Sequence, residues 1–98
     1  MIGKYVLVRG DRSGIFTGIL EKQEGIDGRQ ITLKNVRRLW YWDGAASISQ
    51  IAKYGVSKPQ NCKFPVENDI IQILDTIEII ECSQEAEESI KKVPVWSN

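Results

Sequence analysis

Two strands joined by a glycine-rich turn are the feature of this sequence that most constrains its fold. Between Ile15 and Lys22, and again between Gln30 and Asn35, the residues alternate with the two-residue period of a half-buried strand. Residues 24–28 separate the two segments and are rich in glycine, which tight turns favour. Gly18 interrupts the first strand at mid-length, which predicts a bulge or a sharp bend of the kind that a strongly curved sheet requires.

The remaining elements complete an α+β pattern. A short apolar run from Tyr5 to Arg9 predicts a further strand, and residues from Ile70 to Cys82 predict a last strand that bends near its middle. Ser47 and Ser83 each stand where they cap a short helix. We therefore expect one domain over residues 1–98, an α+β fold made of a small, strongly curved antiparallel sheet of the SH3/Sm-like partial-barrel type with two short helices.

The composition excludes several classes of function. The chain has no histidine, so the commonest general base and zinc ligand are missing, and we expect neither an enzyme nor a metal or other cofactor. Cys62 and Cys82 do not form a redox or metal motif, and we expect two unpaired thiols. No apolar run approaches the ~20 residues that span a bilayer, and no signal peptide precedes the first strand, so we expect a cytoplasmic location and no membrane contact.

Two arginines and three aromatic rings stand within six residues, Arg37, Arg38, Trp40, Tyr41 and Trp42. We expect the strand to continue through these residues, which places the two tryptophans on one face. The rings either form core around a small sheet with both arginines solvated, or they form a recognition surface. In the second case Trp40 and Trp42 stack on a planar base, and Arg37 and Arg38 fork onto phosphate.

The residues that follow extend this candidate site. Asp43 and Gly44 open a run of small residues that leads into a helix start, where unpaired backbone amides attract anions, with Ser47 and Gln50 in the first turn. Alternatively, Asp43 or Ser47 only caps the helix, and Ser47 and Gln50 have the spacing of a capping box. Lys63 adds a positive charge to the site or is an ordinary surface lysine.

Three segments resemble a family of small proteins encoded by bacteriophages and prophages, whose function is unassigned. They are the string Arg37–Ser47, the string Asn61–Pro65 and the terminal Val93–Trp96. The resemblance implies a viral origin and a location in the host cytoplasm. Small phage accessory proteins commonly oppose host defence, in some cases by sequestering nucleotide second messengers. By analogy with them, the resemblance implies such a role for this chain.

A second likeness concerns the fold. Phe16–Leu20 and Ile31–Asn35 resemble the first motif of Sm-like small barrels. The Sm-like RNA-binding loop carries an Asp and Asn pair, where this chain has Gly25–Arg29, and Leu74–Thr76 stands where the second motif has an Arg-Gly pair. The likeness implies a small barrel and does not carry RNA binding with it.

The expected function is therefore that of a non-enzymatic accessory protein that binds and sequesters a small nucleotide-type signalling ligand of host defence. The alternatives are a protein-interaction module that inhibits a host protein, and an Sm-like barrel that binds RNA or single-stranded DNA. A balance of 13 basic and 13 acidic residues does not favour nucleic acid. We expect a homo-oligomer, because Val95 and Trp96 follow Pro94 as an apolar tail.

Overall fold

Five strands and two α-helices make up the computed structural model, which describes residues 1–97. Asn98, the last residue of the expected domain, lies outside that range. The helices are short, and none among the described residues is long and apolar enough to cross a membrane. The elements in chain order are β1 (Tyr5–Gly10), β2 (Ile15–Glu24), β3 (Gln30–Arg38), α1 (Ile48–Tyr54), β4 (Asn68–Ile73), β5 (Thr76–Glu81) and α2 (Gln84–Lys91).

All strands pair antiparallel in a single sheet of order β4-β3-β2-β1-β5. The single bent strand expected from Ile70 to Cys82 is wrong, because its two halves pair with different partners: β4 with β3, and β5 with β1. Only Leu74 and Asp75 connect these two edge strands. The α+β class, the antiparallel sheet and the two helices are confirmed, whereas β4 and β5 are not paired within residues 1–97, so the sheet is open and a partial barrel is not established.

A bulge lies where Gly18 interrupts β2, as the sequence predicts. Thr17 stands opposite Arg37 and Ile19 stands opposite Lys34, so β3 carries one residue more than β2 between these two pairs. A Cβ atom at Gly18 would lie 2.8 Å from the carbonyl oxygen of Lys34. Glycine therefore permits a closer approach of β3 than any other residue at this position would.

The bulge also changes which face each later residue of β3 occupies. Asn35 has a φ of 52°, the left-handed conformation that asparagine tolerates better than most residues. Leu33 and Val36 consequently share one core although they are three residues apart. Arg37 then lies on the opposite face, with Leu39.

Each face of the sheet carries its own buried cluster. The face that the helices cover, the helix face, packs β1 against both helices and the segment around Phe64. The opposite face gathers side chains from β1 to β4. The fully buried members of the helix-face cluster are Leu7, Ile51, Phe64 and Ile90, and those of the opposite face are Val6, Val8, Phe16, Leu20, Ile31, Leu33 and Val36.

Serine side chains begin both helices. Ser47 Oγ accepts a hydrogen bond from the Gln50 amide at 3.2 Å, and Ser83 Oγ accepts one from the Ala86 amide at 3.0 Å. Gln50 does not complete the expected capping box, because its Oε1 accepts from the Ala46 amide at 3.1 Å and not from Ser47. The predicted helix starts are therefore confirmed, with a small change in the partner of Gln50.

Candidate functional site

The chain leaves the sheet directly after Arg38, so the expected continuation of β3 through Trp42 is wrong. Tyr41 instead forms an isolated antiparallel bridge with Lys63. The amides of Trp40 and Tyr41 donate to the Lys63 carbonyl at 3.2 and 3.3 Å, and the Lys63 amide donates to the Tyr41 carbonyl at 2.7 Å. Pairing with a loop segment, and not with a sheet strand, therefore positions these rings.

The C-terminal segment adds a third extended piece beside this bridge. Val95 forms a parallel bridge with Phe64, and the Trp96 amide donates to the Phe64 carbonyl at 3.0 Å. The Lys63 ammonium lies 5.7 Å from the centre of the Tyr41 ring and 5.5 Å from that of the Trp96 ring, within range of a cation–π contact with each. We call the side chains of Trp40, Tyr41, Lys63 and Trp96 the aromatic surface.

The two tryptophans of the Arg37–Ser47 string have different environments. Trp40 is 67% exposed, whereas Trp42 is half-buried and packs against the helix-face core. Leu39 between them is buried. Trp42 thus contributes to the core, whereas Trp40 and Tyr41 face solvent.

Arg37 is a buried internal tie. Only 4% of it is exposed, and burial lowers the pKa of its guanidinium. Nη1 donates to the carbonyls of Ile90 and Val93 at 3.1 and 2.6 Å, and Nη2 donates to that of Phe64 at 2.8 Å. These bonds join the end of α2 and the segment beneath the aromatic surface to β3, so Arg37 supports that surface from within and turns no charge toward a ligand.

Arg38 points to the other face of the sheet, as successive residues of a strand do. Its guanidinium lies 4.4 Å from the centre of the Phe16 ring, and Nη1 donates to the Ser13 carbonyl at 2.7 Å. The two predicted arginines therefore do not converge on one ligand. Arg38 is half-buried at the mouth of a cleft away from the aromatic surface.

Asp43 and Gly44 serve the packing of the neighbouring loop. Asp43 Oδ2 accepts from Asn61 Nδ2 at 3.1 Å, and the Gly44 carbonyl accepts from both the amide and the hydroxyl of Ser57 at 3.2 Å. Gly44 has a φ of 87°, and a Cβ there would lie 2.6 Å from the Lys58 amide nitrogen. The small residue at this position accommodates residues 57–58 of the chain itself.

The polar side chains at the start of α1 form hydrogen bonds with amides of the chain itself. Ser47 and Gln50 already accept hydrogen bonds from amides at this end, and the helix has only seven residues. Of the two interpretations of the sequence, helix capping is therefore the role in which the Ser47 and Gln50 side chains form hydrogen bonds. Among the predicted site residues, only Trp40 and Lys63 lie on the aromatic surface.

Two residues of the aromatic surface, Tyr41 and Trp96, were absent from the predicted site. Trp96 lies more than thirty residues from Lys63 in the sequence, and no local pattern indicates their contact. The signal that the sequence does offer is the apolar tail after Pro94, in which Val95 forms the bridge with Phe64.

The cysteines are unpaired, as expected. Cys62 is buried, and its Sγ accepts from the Asp43 amide at 3.4 Å. Burial raises the pKa of the Cys82 thiol to about 12, so it stays protonated and unreactive at neutral pH. Within residues 1–97, no group of three His, Cys, Asp or Glu side chains is arranged to hold a metal ion.

The fold and the site define a class: a small α+β domain with an open antiparallel sheet and a solvent-exposed aromatic surface. Residues 3–90 match the family described as a domain of unknown function, DUF6948, and the chain belongs to this family. No curated protein and no solved structure matches the chain. The expected membership of an uncharacterised family is confirmed, and Val95 and Trp96 lie beyond the matched range.

Proposed function

We propose that the protein is a non-enzymatic binding protein that takes a planar, nucleotide-type ligand on the aromatic surface and sequesters it. The observation that carries this proposal is Trp40, which is 67% exposed. Its amide donates to the Lys63 carbonyl, and the Lys63 ammonium contacts the rings of Tyr41 and Trp96. Large aromatic rings dominate core energetics when they are buried. Exposed apolar patches that polar residues surround are typical of interaction sites, and Trp40 and Tyr41 with Lys63 form such a patch.

The surface offers the two interactions that a nucleotide needs. A base that stacks on an exposed aromatic ring gains about 1–3 kcal/mol, largely independent of the base. The Lys63 ammonium is exposed and is a donor for phosphate, although as a point charge and without the fork of an arginine. Arg37 contributes indirectly, because it donates to the Phe64 carbonyl, which also accepts from the amide of Trp96 in the aromatic surface.

A protein partner is the second candidate, and a specific observation favours it. Val66 lies three residues after Lys63 and is 63% exposed, and Val95 directly precedes Trp96 and is 58% exposed. Aromatic residues surrounded by apolar contacts are typical of interaction hot spots. In this case the module blocks a host protein. Binding of RNA or single-stranded DNA ranks third, because the net charge is zero.

The proposal includes the biology that the resemblance implies. The segments 37–47, 61–65 and 93–96 support a phage or prophage origin and an action in the host cytoplasm against a defence that signals through nucleotides. A homo-oligomer is part of the proposal, and the exposed Val95 supports it. A second copy on this side would enclose the ligand that one chain leaves open to solvent.

The proposed fold is a partial barrel of the SH3/Sm-like type, and the link between β4 and β5 supports it. Two linking residues span at most ~11 Å between strand ends. The edge strands of a flat five-stranded sheet would lie ~19 Å apart. The Thr76 amide also donates to the Arg29 carbonyl at 3.2 Å, which brings the start of β5 to the start of β3.

Titration with nucleotides tests the proposal, and the chain offers a matched control. Tyr41 and Tyr54 are 51% and 54% exposed, and each has a lysine ammonium 5.4–5.7 Å from its ring, but only Tyr41 belongs to the aromatic surface. We expect Trp40→Ala and Tyr41→Ala each to weaken binding of a cyclic dinucleotide or cyclic ADP-ribose about five- to 150-fold, from a stacking loss of ~1–3 kcal/mol. Tyr54→Ala should stay within about twofold of wild type.

Native mass spectrometry of protein purified from defence-active cells identifies the ligand, because a sequestered nucleotide travels with the protein. Wild-type protein that neither carries nor binds a nucleotide would refute the nucleotide proposal and leave the protein partner as the candidate. Equal losses for Tyr41→Ala and Tyr54→Ala would place the site elsewhere.

A further inference from the structure

An open cleft of about 380 Å³ lies beside Arg38, apart from the aromatic surface. Its rim combines the β1–β2 turn, the end of β3, the second half of β4 and the β4–β5 link. The residues that line it are Arg12, Ser13, Phe16, Arg38, Ile71, Gln72, Ile73, Leu74 and Asp75. We propose that this cleft is a second binding site, which takes a small organic anion with a phosphate or carboxylate head and an apolar body.

The head group would bind at Arg38. Its guanidinium is fixed by the face of the Phe16 ring and by one carbonyl, that of Ser13. Among residues 1–97 it makes no other hydrogen bond and no ion pair, so Nη2 and Nε keep their donors. A half-buried, immobilised guanidinium with free donors is arranged for a bidentate contact with an oxyanion.

The contrast with Arg37 lies in the terminal nitrogens and in exposure, because the Arg37 Nε also lacks a partner but is buried. Arg37 directs both of its terminal nitrogens at carbonyls of the chain and is closed to solvent. Arg38 directs one terminal nitrogen at a single carbonyl, and its half-buried side chain lines the cleft. A fixed cation of this kind attracts an anion without the entropic cost of ordering a flexible side chain.

The remaining charges on the rim leave the cleft positive. Arg12 adds a second guanidinium, and Asp75 is the one carboxylate among the residues that line the cleft. The Asp75 carboxylate accepts from the Ser13 hydroxyl at 2.6 Å and from the amides of Arg12 and Ser13 at 2.8 and 3.1 Å. Because these bonds hold it against the β1–β2 turn, Asp75 does not neutralise Arg38 by an ion pair.

The walls select for an apolar body. Leu74 is 62% exposed, and Ile71 is half-buried against the core of the opposite face. Phe16 forms the floor under Arg38. A volume of this size is at the lower end of those that hold small organic ligands, about 300–1,000 Å³. An aryl or short alkyl group that carries one oxyanion matches both the volume and the charge.

The test uses phenyl phosphate and benzoate as probes, so that the two head groups are compared on one body. Inorganic phosphate tests the head alone, and benzyl alcohol tests the body alone. Titrations followed by the Arg38 Nε–H signal in nitrogen–proton NMR spectra report directly on the guanidinium. The indole N–H signals of the tryptophans report on the aromatic surface in the same spectra, so the outcome for the cleft is independent of the proposed nucleotide site.

We expect saturable shifts at Arg38 with phenyl phosphate or benzoate, and at least about fivefold weaker binding of inorganic phosphate and of benzyl alcohol. Arg38→Gln should weaken binding of the aryl anion about tenfold or more, as loss of a charge-assisted contact does. Leu74→Asp should weaken it about fivefold or more by repulsion at the rim. Ile2→Asp is the matched control, because Ile2 is 60% exposed and precedes the start of β1, whereas the cleft lies at its end.

Binding of either aryl anion that requires Arg38 and Leu74 but not Ile2 supports the site, and the better probe identifies its head group. The proposal is overturned if neither anion shifts the Arg38 signal. It is equally overturned if Leu74→Asp and Ile2→Asp have the same effect, or if benzyl alcohol binds as tightly as the anions. Leu74→Asp changes an exposed side chain, so the test stands even where Arg38→Gln fails to fold.

Discussion

Replacement of Arg37 by methionine should destabilise the protein by about 3 kcal/mol, because the guanidinium satisfies three main-chain carbonyls at 3.1 Å or less. Methionine keeps the apolar stem but removes every donor, and each of the three lost hydrogen bonds to the charged group costs about 1–3 kcal/mol. The Phe64 and Ile90 carbonyls keep the amides of Trp96 and Val93 as donors, whereas the Val93 carbonyl loses its hydrogen bond. The lower value applies, since the mutant no longer has to desolvate a cation. Urea denaturation followed by circular dichroism measures the loss against a total of ~5–15 kcal/mol.

Arg38→Met is the control, since it changes the neighbouring residue in the same way. Arg38 loses one carbonyl bond and a contact with a ring at a half-exposed position, and we expect about 1 kcal/mol. Arg37→Met should also release the C-terminal segment, so that acrylamide quenches the fluorescence of Trp96 more strongly. Equal losses for the two variants, or a loss below about 1 kcal/mol for Arg37→Met, would refute the assignment of Arg37 as an internal tie.

Three further outcomes follow from the structure. Gly44→Ala should lower stability by about 1–3 kcal/mol in thermal melts. Gly3→Ala should lower it less, because both glycines have positive φ but only a Cβ at position 44 collides with Lys58. Equal losses for the two variants would contradict this. Hydrogen bonds from the Ser13 hydroxyl and neighbouring amides lower the pKa of Asp75, so Asp75→Asn should melt at a lower temperature than wild type above pH ~4. The difference in melting temperature should shrink as pH falls through the lowered pKa, and a difference that is constant with pH would argue against it. Light scattering should give a multiple of 11.1 kDa, and a monomer at micromolar concentration would remove the oligomer from the proposal.

Much of the fold could be predicted because it depends on local patterns. The alternation in β2 and β3 assigns Ile31 and Leu33 to the core, and both are fully buried. Gly18 marks the bulge because only a residue without a side chain fits there. Ser47 and Ser83 mark the helix starts because a serine hydroxyl satisfies an amide within three residues.

The candidate site could be predicted only in part, because its arrangement depends on contacts between distant segments. The left-handed conformation of Asn35 moves the residues that follow it to the opposite faces of the sheet. The sequence does not show which residue of β3 is the extra residue of the bulge. Arg37 consequently meets carbonyls near residues 64 and 90 and not a ligand. The exposure of Trp40 likewise depends on its pairing with Lys63, which no periodicity encodes.

The strand order has a consequence for how the chain acquires its structure. Strands β1, β2 and β3 are joined by short turns, so they can pair as soon as they leave the ribosome. The outer edge of β1 stays unpaired until β5 is present, and residues 11–75 are synthesised before β5. During that interval an apolar strand, Tyr5–Val8, has an unpaired edge that can capture another chain. Because closing so long a loop is slow, attachment of β5 is expected to limit the folding rate, and nascent chains that end before Glu81 are expected to aggregate.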